Sequence, residues 1–306
     1  MPKAARFSEH GATDVLQVVE IGDLAPGPGQ VRLAVRAAGV NPFDWKVLHG
    51  SIPGLPKTFP AGLGNDVAGV VDALGEGVAT LAVGDAVLGQ SATPSYATSA
   101  LAAEDRLVAR PGDLPWEVAA GLGGAGGTAW KVLERLGVAE GDTLLVHAAA
   151  GGVGTFAVQL GVARGARVIG TASEANHDLL RSWGAVPVRY GDGLARRVRE
   201  IAPGGIDAAL DASGRGGELP VSVELAGGPE RVLTIARFDD VPEGVTVHQG
   251  GSMGDLQPAL REIVALIGEG RLQVPIGGTY PLEDAAAALD ASEHGHLAGK
   301  IVLTTS

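Results

Sequence analysis

The sequence predicts an α/β protein in which a doubly wound parallel sheet is combined with a second, β-rich domain. Two observations support this fold class. Short alternating segments fill the amino-terminal third of the chain, and strand-like and helix-like segments then alternate from residue 142 onward. The composition agrees, since 45% of the residues are hydrophobic and 19% are charged, as in ordinary globular proteins. The 48 glycines suit closely packed layers joined by tight turns.

The amino-terminal third is predicted to form several short strands. Residues 15–21 and 30–38 alternate between apolar and polar side chains, which is typical of half-buried strands. Between them lies Ala25-Pro-Gly-Pro-Gly29, a strong turn signal. Residues 67–74 and 86–88 continue the pattern. Many short strands separated by Gly and Pro predict a small barrel or sandwich.

The middle of the chain is predicted to form a parallel sheet covered by helices on both faces. The predicted strands cover residues 142–147, 166–170, 186–190, 206–212 and 231–236, and the predicted helices cover 128–136, 154–164, 176–183 and 194–201. Strands such as residues 144–146 are apolar throughout, as burial on both faces requires. Strand–helix alternation with short loops is the pattern of such a sheet.

The carboxy-terminal part is predicted to contain an amphipathic helix over residues 256–268 and an Ala-rich helix over 282–292. We expect this part to rejoin the amino-terminal domain. The predicted organisation is therefore a β-rich domain at 1–115, a sheet domain at 116–255, and a returning segment at 256–306.

A glycine-rich turn between a buried strand and a helix predicts a dinucleotide site. Gly151 would let the backbone approach a pyrophosphate, and Gly154 would permit close packing of the helix on the strand. The helix N-terminus adds unpaired N–H groups and a positive dipole end. Ala149 replaces the first glycine of the usual fingerprint, which a tight turn tolerates. The sequence thus predicts a Rossmann domain that binds the cofactor through Ala150, Gly151, Gly152, Val153 and Gly154.

The end of the following strand favours NADPH over NADH. An enzyme that uses NAD places an acidic residue there to accept from the ribose 2′-hydroxyl, and a carboxylate would repel a 2′-phosphate. Residues 168–173 end without an acid, and Ser173 and Asn176 can donate to a phosphate. Glu174 and the absence of Arg or Lys in this loop are observations against NADPH.

Charge and composition exclude several classes. The net charge of −12 provides no basic face for nucleic acid, and Arg196, Arg197 and Arg199 have the spacing of a solvated helix face. The chain has no cysteine, so disulfides, thiolate catalysis and Cys-based zinc sites are excluded. It has no apolar run long enough for a membrane helix, and residues 1–11 do not resemble a signal peptide. A cytoplasmic protein is expected.

An ordered set of motifs resembles one family along the whole chain. These motifs are Ala37-Ala-Gly-Val-Asn-Pro-Phe-Asp-Trp-Lys46, Gly62-Leu-Gly-Asn-Asp-Val-Ala-Gly-Val-Val71, Gly84-Asp85, Gly127-Thr-Ala-Trp130, Val146-His-Ala-Ala-Ala-Gly-Gly-Val-Gly154, Asp211-Ala-Ser-Gly214 and Gly299-Lys-Ile-Val-Leu303. The chain resembles the zinc-independent quinone oxidoreductase branch of the medium-chain dehydrogenases/reductases. The resemblance implies a GroES-like catalytic domain around an inserted Rossmann domain, NADPH as cofactor, quinone or α,β-unsaturated carbonyl substrates, and a homodimer.

The resemblance also implies which residues act. Asn41 would lie beside the nicotinamide, although a residue before Pro42 can equally be a turn residue. It stands in the region where zinc-binding relatives have a cysteine, and Asn65-Asp66 replaces their His-Glu pair. Asp44 is expected to support the loop by hydrogen bonding rather than to act as an acid.

The predicted site has three candidate sources for the proton. Ile52 falls where the family often has a tyrosine, so Lys46 and His49 are the candidate substitutes, each with a surface or structural role as the alternative. Water is the third possible source of the proton.

Further cofactor contacts are predicted where elements end. Thr128 would contact the nicotinamide side or cap a helix, and Tyr190 would lie near the adenine ribose or pack at the sheet edge. Ala212 and Ser213 end one predicted sheet strand and Ala236 ends another, at the sheet edge where ligands bind. Lys300 would approach the cofactor or form a surface salt bridge. His147 is interpreted as a structural histidine, and His294 with His296 as a poor metal pair.

Three functions follow as hypotheses. The first is NADPH-dependent reduction of quinones or enones without a metal. The second is an enoyl reductase for carrier-bound thioesters, against which the acidic chain argues mildly. The third is a non-catalytic protein that binds NADPH and senses redox state.

Overall fold

The computed structural model describes residues 1–248, 254–295 and 298–305, which form two compact units. The first unit combines residues 1–125 with 255–264 and the chain from 274 onward, and the second combines 126–254 with 265–273. The first unit thus continues past the predicted boundary at 115. The carboxy-terminal segment belongs to it, apart from residues 265–273.

The first unit is built mainly from antiparallel strands. Its elements are β1 (Lys3–Phe7), β2 (Gln17–Glu20), β3 (Gln30–Val40), α1 (Pro42–Leu48), β4 (Ala61–Gly62), β5 (Asp66–Leu74), β6 (Ala86–Gln90), β7 (Ser99–Ala103), β8 (Leu107–Ala109) and α2 (Trp116–Ala120). Helix α3 (Gly123–Leu136) begins in this unit and continues into the second. One sheet has the order β2-β1-β4, and in the larger sheet β3 pairs with both β5 and β7.

The second unit contains the predicted parallel sheet. Its elements are β9 (Thr143–His147), α4 (Gly152–Ala163), β10 (Arg167–Ala172), α5 (His177–Ser182), β11 (Val186–Arg189), α6 (Leu194–Ile201), β12 (Ala208–Asp211), α7 (Glu218–Ala226), β13 (Val232–Thr234) and β14 (Thr246–Val247). The strands lie in the order β11-β10-β9-β12-β13-β14, and every pair is parallel. The order reverses at β9, as in doubly wound sheets that bind a ligand at the reversal point.

The carboxy-terminal strands return to the first unit, as predicted. Helix α8 (Gln257–Gly268) is followed by β15 (Ile276–Pro281), α9 (Ala285–His294) and β16 (Lys300–Thr304). Strand β16 pairs antiparallel with the end of β3, so that Ile301 lies opposite Val40. This pairing brings Lys300 to the place where β3 leads into α1.

Each unit has its own apolar core. In the first, Phe7, Leu48, Leu63 and Leu303 pack with the Ala-rich face of α9. In the second, strand residues such as Leu145 and Ile169 pack against α6 and α7. Among the described residues, no helix has both the length and the apolar character needed to span a membrane.

Several elements differ from the sequence prediction. Helix α3 begins at Gly123, five residues before the predicted start, and the prediction missed α1 and α7. Helix α7 contains Pro220, Val221 and Val223, which read as a turn or a strand. Proline is tolerated in a first helical turn, and burial of Leu219 and Leu225 stabilises the helix despite the β-branched residues.

Candidate functional site

A buried polar cluster in the first unit is centred on Asn41, Asp66 and Lys300. The Asn41 Nδ2 atom donates to Asp66 Oδ2 at 2.9 Å. The Lys300 ammonium donates to Asn41 Oδ1 and, at 3.1 Å, to the Val40 carbonyl oxygen. Lys300 is 3% exposed and Asp66 is 0% exposed. Because Lys300 is buried, the alternative of a surface salt bridge is wrong. Its ammonium instead orients the amide of Asn41.

Asn41 also begins helix α1, and Asp44 supports it from the first turn. The Asn41 backbone N–H donates to Asp44 Oδ2 at 2.8 Å. The same oxygen accepts from the Tyr96 hydroxyl at 2.9 Å, with both side chains buried. Asp44 therefore supports the loop by hydrogen bonding, as predicted. Asn41 is indeed the residue before Pro42, but its side chain is directed into the cluster.

Three glycines leave the space that the Asp66 carboxylate occupies. A Cβ atom at Gly123 would lie 2.8 Å from Asp66 Oδ1, and one at Gly124 would lie 2.8 Å from Asp66 Oδ2. A Cβ atom at Gly39 would lie 3.0 Å from the Asp66 Cβ atom and 2.5 Å from the Ala120 carbonyl oxygen. Such approaches are closer than side chains tolerate. The two glycines at the start of α3, together with Gly39, thus make room for the carboxylate.

Burial controls the charges of this cluster. It raises the pKa of Asp44 from 3.8 to about 6, against hydrogen bonds from Asn41 and Tyr96 that lower it. It also raises the pKa of Asp66, against the opposing charge of Lys300 and the Asn41 hydrogen bond. Burial lowers the pKa of Lys300, while Asp66 and Asp44 raise it. One ammonium thus faces two carboxyl groups in a site of low dielectric constant.

The glycine-rich turn in the second unit has the geometry of an anion site. Helix α4 begins directly after Gly151, and Thr155 N to Gly151 O at 2.9 Å is a bond of its first turn. The N–H groups at its start have no acceptor within the helix. A Cβ atom at Gly154 would lie 2.1 Å from the Ala148 carbonyl oxygen, so the helix packs closely on the turn. Ala148 has φ 53°, a left-handed conformation that costs energy for a residue with a Cβ atom.

Residues after β10 and β11 meet because these strands are paired. Ala172 lies opposite Arg189, and the Arg189 guanidinium is 3.5 Å from Glu174 Oε1. Asn176 Nδ2 donates to Ser173 Oγ at 3.3 Å, so the two predicted donors are adjacent. The sequence loop after β10 holds no basic residue, but the neighbouring strand supplies one. Both Arg189 and Glu174 are exposed.

Tyr190 and the ends of β12 and β13 lie in the same unit. The Arg215 guanidinium carbon is 4.2 Å from the centre of the half-buried Tyr190 ring. Ala212 and Ser213 follow β12 directly, and the Ser213 hydroxyl contacts Asp211 and Glu218. The Ala236 N–H donates to Thr234 Oγ1 at 3.2 Å. The structure thus brings Ala212, Ser213 and Ala236 to the carboxyl ends of adjacent parallel strands.

The remaining predicted residues have mixed outcomes. The Lys46 ammonium lies 5.5 Å from the centre of the Trp45 ring, and His49 Nε2 lies 3.6 Å from Glu293 Oε2. Thr128 lies inside α3, so its alternative as a helix N-cap is wrong. Ile52 packs against the apolar core of the first unit.

His147 and two of the three clustered arginines have the surroundings that the sequence predicts. His147 is buried and hydrogen-bonded to Ser222 at 2.8 Å, as a structural histidine should be. His294 pairs with Asp290, and His296 lies outside the described residues, as does part of the loop after Ala236. Arg196 and Arg199 are exposed and ion-paired, whereas Arg197 donates to carbonyl groups of residues 189–192.

Sequence reasoning missed Tyr96, Arg189 and Glu218. Tyr96 reaches Asp44 across 52 positions of the chain, and no local pattern signals such a contact. Arg189 could have been found by aligning the ends of the two predicted strands. Glu218 could not, because its helix was not predicted.

Two family models match most of the chain. The alcohol dehydrogenase GroES-like domain matches residues 27–133, and the zinc-binding dehydrogenase matches residues 184–303. The quinone oxidoreductase of Salmonella typhimurium is 30% identical in an alignment of 338 positions, gaps included, which covers 99% of this chain and 99% of the relative.

A polyketide synthase and a solved structure are also similar. The mycocerosic acid synthase-like polyketide synthase of Mycolicibacterium smegmatis is 32% identical over 96% of this chain, but the chain spans only 15% of that protein. The structure of Escherichia coli quinone oxidoreductase complexed with NADPH has a TM-score of 0.88 at 26% identity, covering 99% of each chain.

Proposed function

Since the chain belongs to the medium-chain dehydrogenase/reductase family, we propose that it is an NADPH-dependent reductase of quinones or α,β-unsaturated carbonyls. It is an oxidoreductase of the quinone oxidoreductase type by its relatives. The observation that carries the proposal is the glycine turn before α4. Gly154 lies so close to the Ala148 carbonyl oxygen that no side chain fits there, and the first N–H groups of α4 can donate to a pyrophosphate.

The choice of NADPH is supported by the residues beside β10. Ser173 and Asn176 offer hydrogen-bond donors, and Arg189 brings a guanidinium to the same place. Guanidinium groups suit phosphate oxygens. Glu174 is paired with Arg189, and we propose that a 2′-phosphate replaces its carboxylate as the partner of Arg189. The related Escherichia coli enzyme was solved with NADPH.

We propose further that the reaction proceeds without zinc. The sequence has no cysteine, and in residues 1–248, 254–295 and 298–305 no three His, Asp or Glu residues come together as a metal site would require. The cation that faces Asp66 is the ammonium of Lys300. The donor set therefore does not fit the zinc named in the second family model.

Asn41 is proposed to orient the reactants. Its amide cannot rotate freely, because Lys300 holds the oxygen and Asp66 accepts from the nitrogen. The second N–H of that nitrogen can then donate in a fixed direction. Bound NADPH supplies the hydride, and we propose that solvent supplies the proton. Positioning by fixed dipoles of this kind is an effective form of catalysis.

The experiment is NADPH oxidation with a panel of quinones, enones and enoyl thioesters. We expect turnover with at least one quinone or enone, tighter binding of NADPH than of NADH, and loss of the NADPH preference in Arg189→Ala. Lys46→Ala and His49→Ala should keep turnover within about threefold, whereas loss of a general acid costs about 100-fold or more. Tight NADPH binding without turnover on any substrate would favour a redox sensor instead.

The enoyl-thioester reductase is the second candidate, favoured by the 32% identity to a polyketide synthase over 96% of this chain. A higher kcat/KM for enoyl thioesters than for quinones would favour the enoyl-thioester reductase.

Pairing of two copies and a cytoplasmic location stay predictions. Light scattering of the purified chain tests the first.

A further inference from the structure

Glu218 is a buried carboxyl group that the proposed reaction does not use. It lies in the first turn of α7 and is 6% exposed. One of its oxygens contacts Ser213 Oγ, and the other is 3.9 Å from His147 Nδ1. Ser213 belongs to the segment after β12 that the sequence assigns to the cofactor.

A single serine hydroxyl lies between two carboxyl groups. Ser213 Oγ is 2.9 Å from Asp211 Oδ1 and also contacts Glu218 Oε2. A hydroxyl has one proton and can donate to only one of these oxygens. The other contact is a hydrogen bond only if that carboxyl group itself carries a proton.

The hydrogen bonds assign this proton to Glu218. Asp211 Oδ1 accepts from the N–H groups of Ser213 and Gly214 at 2.9 and 3.1 Å, and Oδ2 accepts from Thr234 Oγ1 at 2.8 Å. Donors of this number stabilise the ionised form, so Asp211 is the carboxylate. Ser213 then donates to Asp211 and accepts from both Glu218 and the Arg215 N–H at 3.1 Å.

The histidine beside Glu218 is neutral and does not form an ion pair with it. The Ser222 hydroxyl donates to the Glu218 carbonyl oxygen at 2.9 Å, so it must accept from His147 Nε2. Because burial keeps the ring neutral, Nδ1 is the unprotonated nitrogen, and Thr171 Oγ1 lies 3.5 Å from it. Burial lowers the pKa of His147 to about 4.

We propose that Glu218 is a positioning residue for the cofactor: its protonated carboxyl group donates to Ser213 and holds the segment from Asp211 to Gly214 in its binding conformation. The inference rests on the proposed function, because that function places the cofactor at this segment. Ionisation of Glu218 would set a second carboxylate beside Asp211, with one serine proton for both. The segment would then shift, and cofactor affinity would fall.

The charges around Glu218 make this loss occur near neutral pH. Burial and the neighbouring Asp211 raise the pKa of Glu218 to about 7, and Arg215 lowers it. Helix α7 acts in the opposite direction, since a helix N-terminus favours a carboxylate. His147 on β9, Asp211 on β12 and Arg215 in the following loop are the ionisable groups that face it.

The test is the dissociation constant of NADPH between pH 5.5 and 8.5, measured by fluorescence titration of the whole chain. Glu218→Gln keeps a donor for Ser213 and cannot ionise, Glu218→Ala has no donor, and Glu224→Gln changes an exposed glutamate of the same helix as control. We expect the wild-type constant to rise roughly fivefold or more relative to Glu218→Gln between pH 6 and 8.5, a modest coupling between sites. Comparison at each pH cancels the titration of the cofactor's own phosphate. Glu224→Gln should follow the wild type, and Glu218→Ala should bind weakly throughout.

Identical pH profiles for wild type and Glu218→Gln would overturn the proposal. If no variant binds NADPH at any pH, the proposed function and the cofactor role of Glu218 both fail. In that case, thermal unfolding of the chain without cofactor still tests whether Glu218 is protonated in the folded state. A folded pKa above the unfolded value means that wild-type stability relative to Glu218→Gln declines from pH 4.5 to 7. A constant difference in melting temperature would show that Glu218 holds no proton.

Discussion

Lys300 donates to Asn41 and faces two buried aspartates, so removing its ammonium leaves Asp66 buried without the opposing charge of Lys300. We expect Lys300→Met to lower the free energy of unfolding by about 3–5 kcal/mol, the cost of breaking a buried pair on one side. The additional change Asp66→Asn should recover most of this loss, because it removes the uncompensated charge. Urea unfolding of both single variants and the double variant measures the coupling.

The pH dependence separates this explanation from simple loss of packing. Protonation relieves an unpaired carboxylate, so the defect of Lys300→Met should shrink as the pH falls toward 4. Lys57→Met, a change at an exposed lysine, is the matched control. Additive effects of Lys300→Met and Asp66→Asn would show that the two side chains do not act as a pair.

At the residue scale, sequence motifs identified Asn41, Asp44 and Lys300 but not their mutual contacts. The Gly299-Lys-Ile motif lies 259 positions from Asn41, and only the pairing of β16 with β3 brings the two together. A surface salt bridge was the natural alternative for a lysine near the chain end, since lysines are rarely buried. Long-range pairing decides such cases, and a motif carries no information on it.

At the element scale, the turn between β9 and α4 combines a strained residue with a crowded one. Ala148 has φ 53°, and a Cβ atom at Gly154 would meet the Ala148 carbonyl oxygen at 2.1 Å. We expect Ala148→Gly to stabilise the chain by about 1 kcal/mol, because glycine adopts this conformation without a Cβ clash. Gly154→Ala should destabilise it by about 1–3 kcal/mol through overpacking.

Gly204→Ala serves as the control for both changes, since its Cβ atom would meet open space. Thermal melting and NADPH titration of the three variants separate stability from binding. A Gly154→Ala variant that is as stable as the wild type would show that the turn can relax. Ala148→Gly with lower stability would show that the alanine side chain contributes contacts that exceed the strain.

Elements were predictable where their hydrophobic pattern was strong. Helix α6 was predicted with its observed bounds, and the buried strands β9 to β13 were found within two residues at each end. Helices α1 and α7 were missed because each begins with proline or contains β-branched residues, which read as turn or strand. The long antiparallel pairing of β3 with β5 and β7 also lay beyond local patterns.

For the whole molecule, buried ionisable groups set an unusual dependence of stability on pH. Asp44, with a folded pKa of about 6, and Glu218, with one of about 7, hold protons that the unfolded chain has lost. The free energy of unfolding therefore falls as the pH rises from about 4.5 to 7. His147 acts in the opposite direction over part of this window, because it is neutral when folded and charged when unfolded. His248, whose pKa burial also lowers, acts in the same direction as His147. The pKa of Asp66 is raised as well, and we expect the three carboxyl groups together to outweigh the two histidines.

We therefore expect the wild-type chain to be more stable near pH 5 than near pH 7.5. Asp44 alone contributes about 1.4 kcal/mol to this difference, because only about one pKa unit lies between pH 5 and its folded pKa of about 6, and each unit corresponds to about 1.4 kcal/mol. In Asp44→Asn the amide oxygen can still accept from Asn41 and Tyr96, while the titrating group is gone. The slope of unfolding free energy against pH should flatten in this variant and flatten further in the double variant with Glu218→Gln. Asp113→Asn, at an exposed aspartate, should retain the wild-type slope. Urea unfolding at half-unit steps of pH measures these slopes. If the stability of the wild-type chain rises from pH 5 to 7.5, the two buried carboxyl groups do not hold the protons assigned to them.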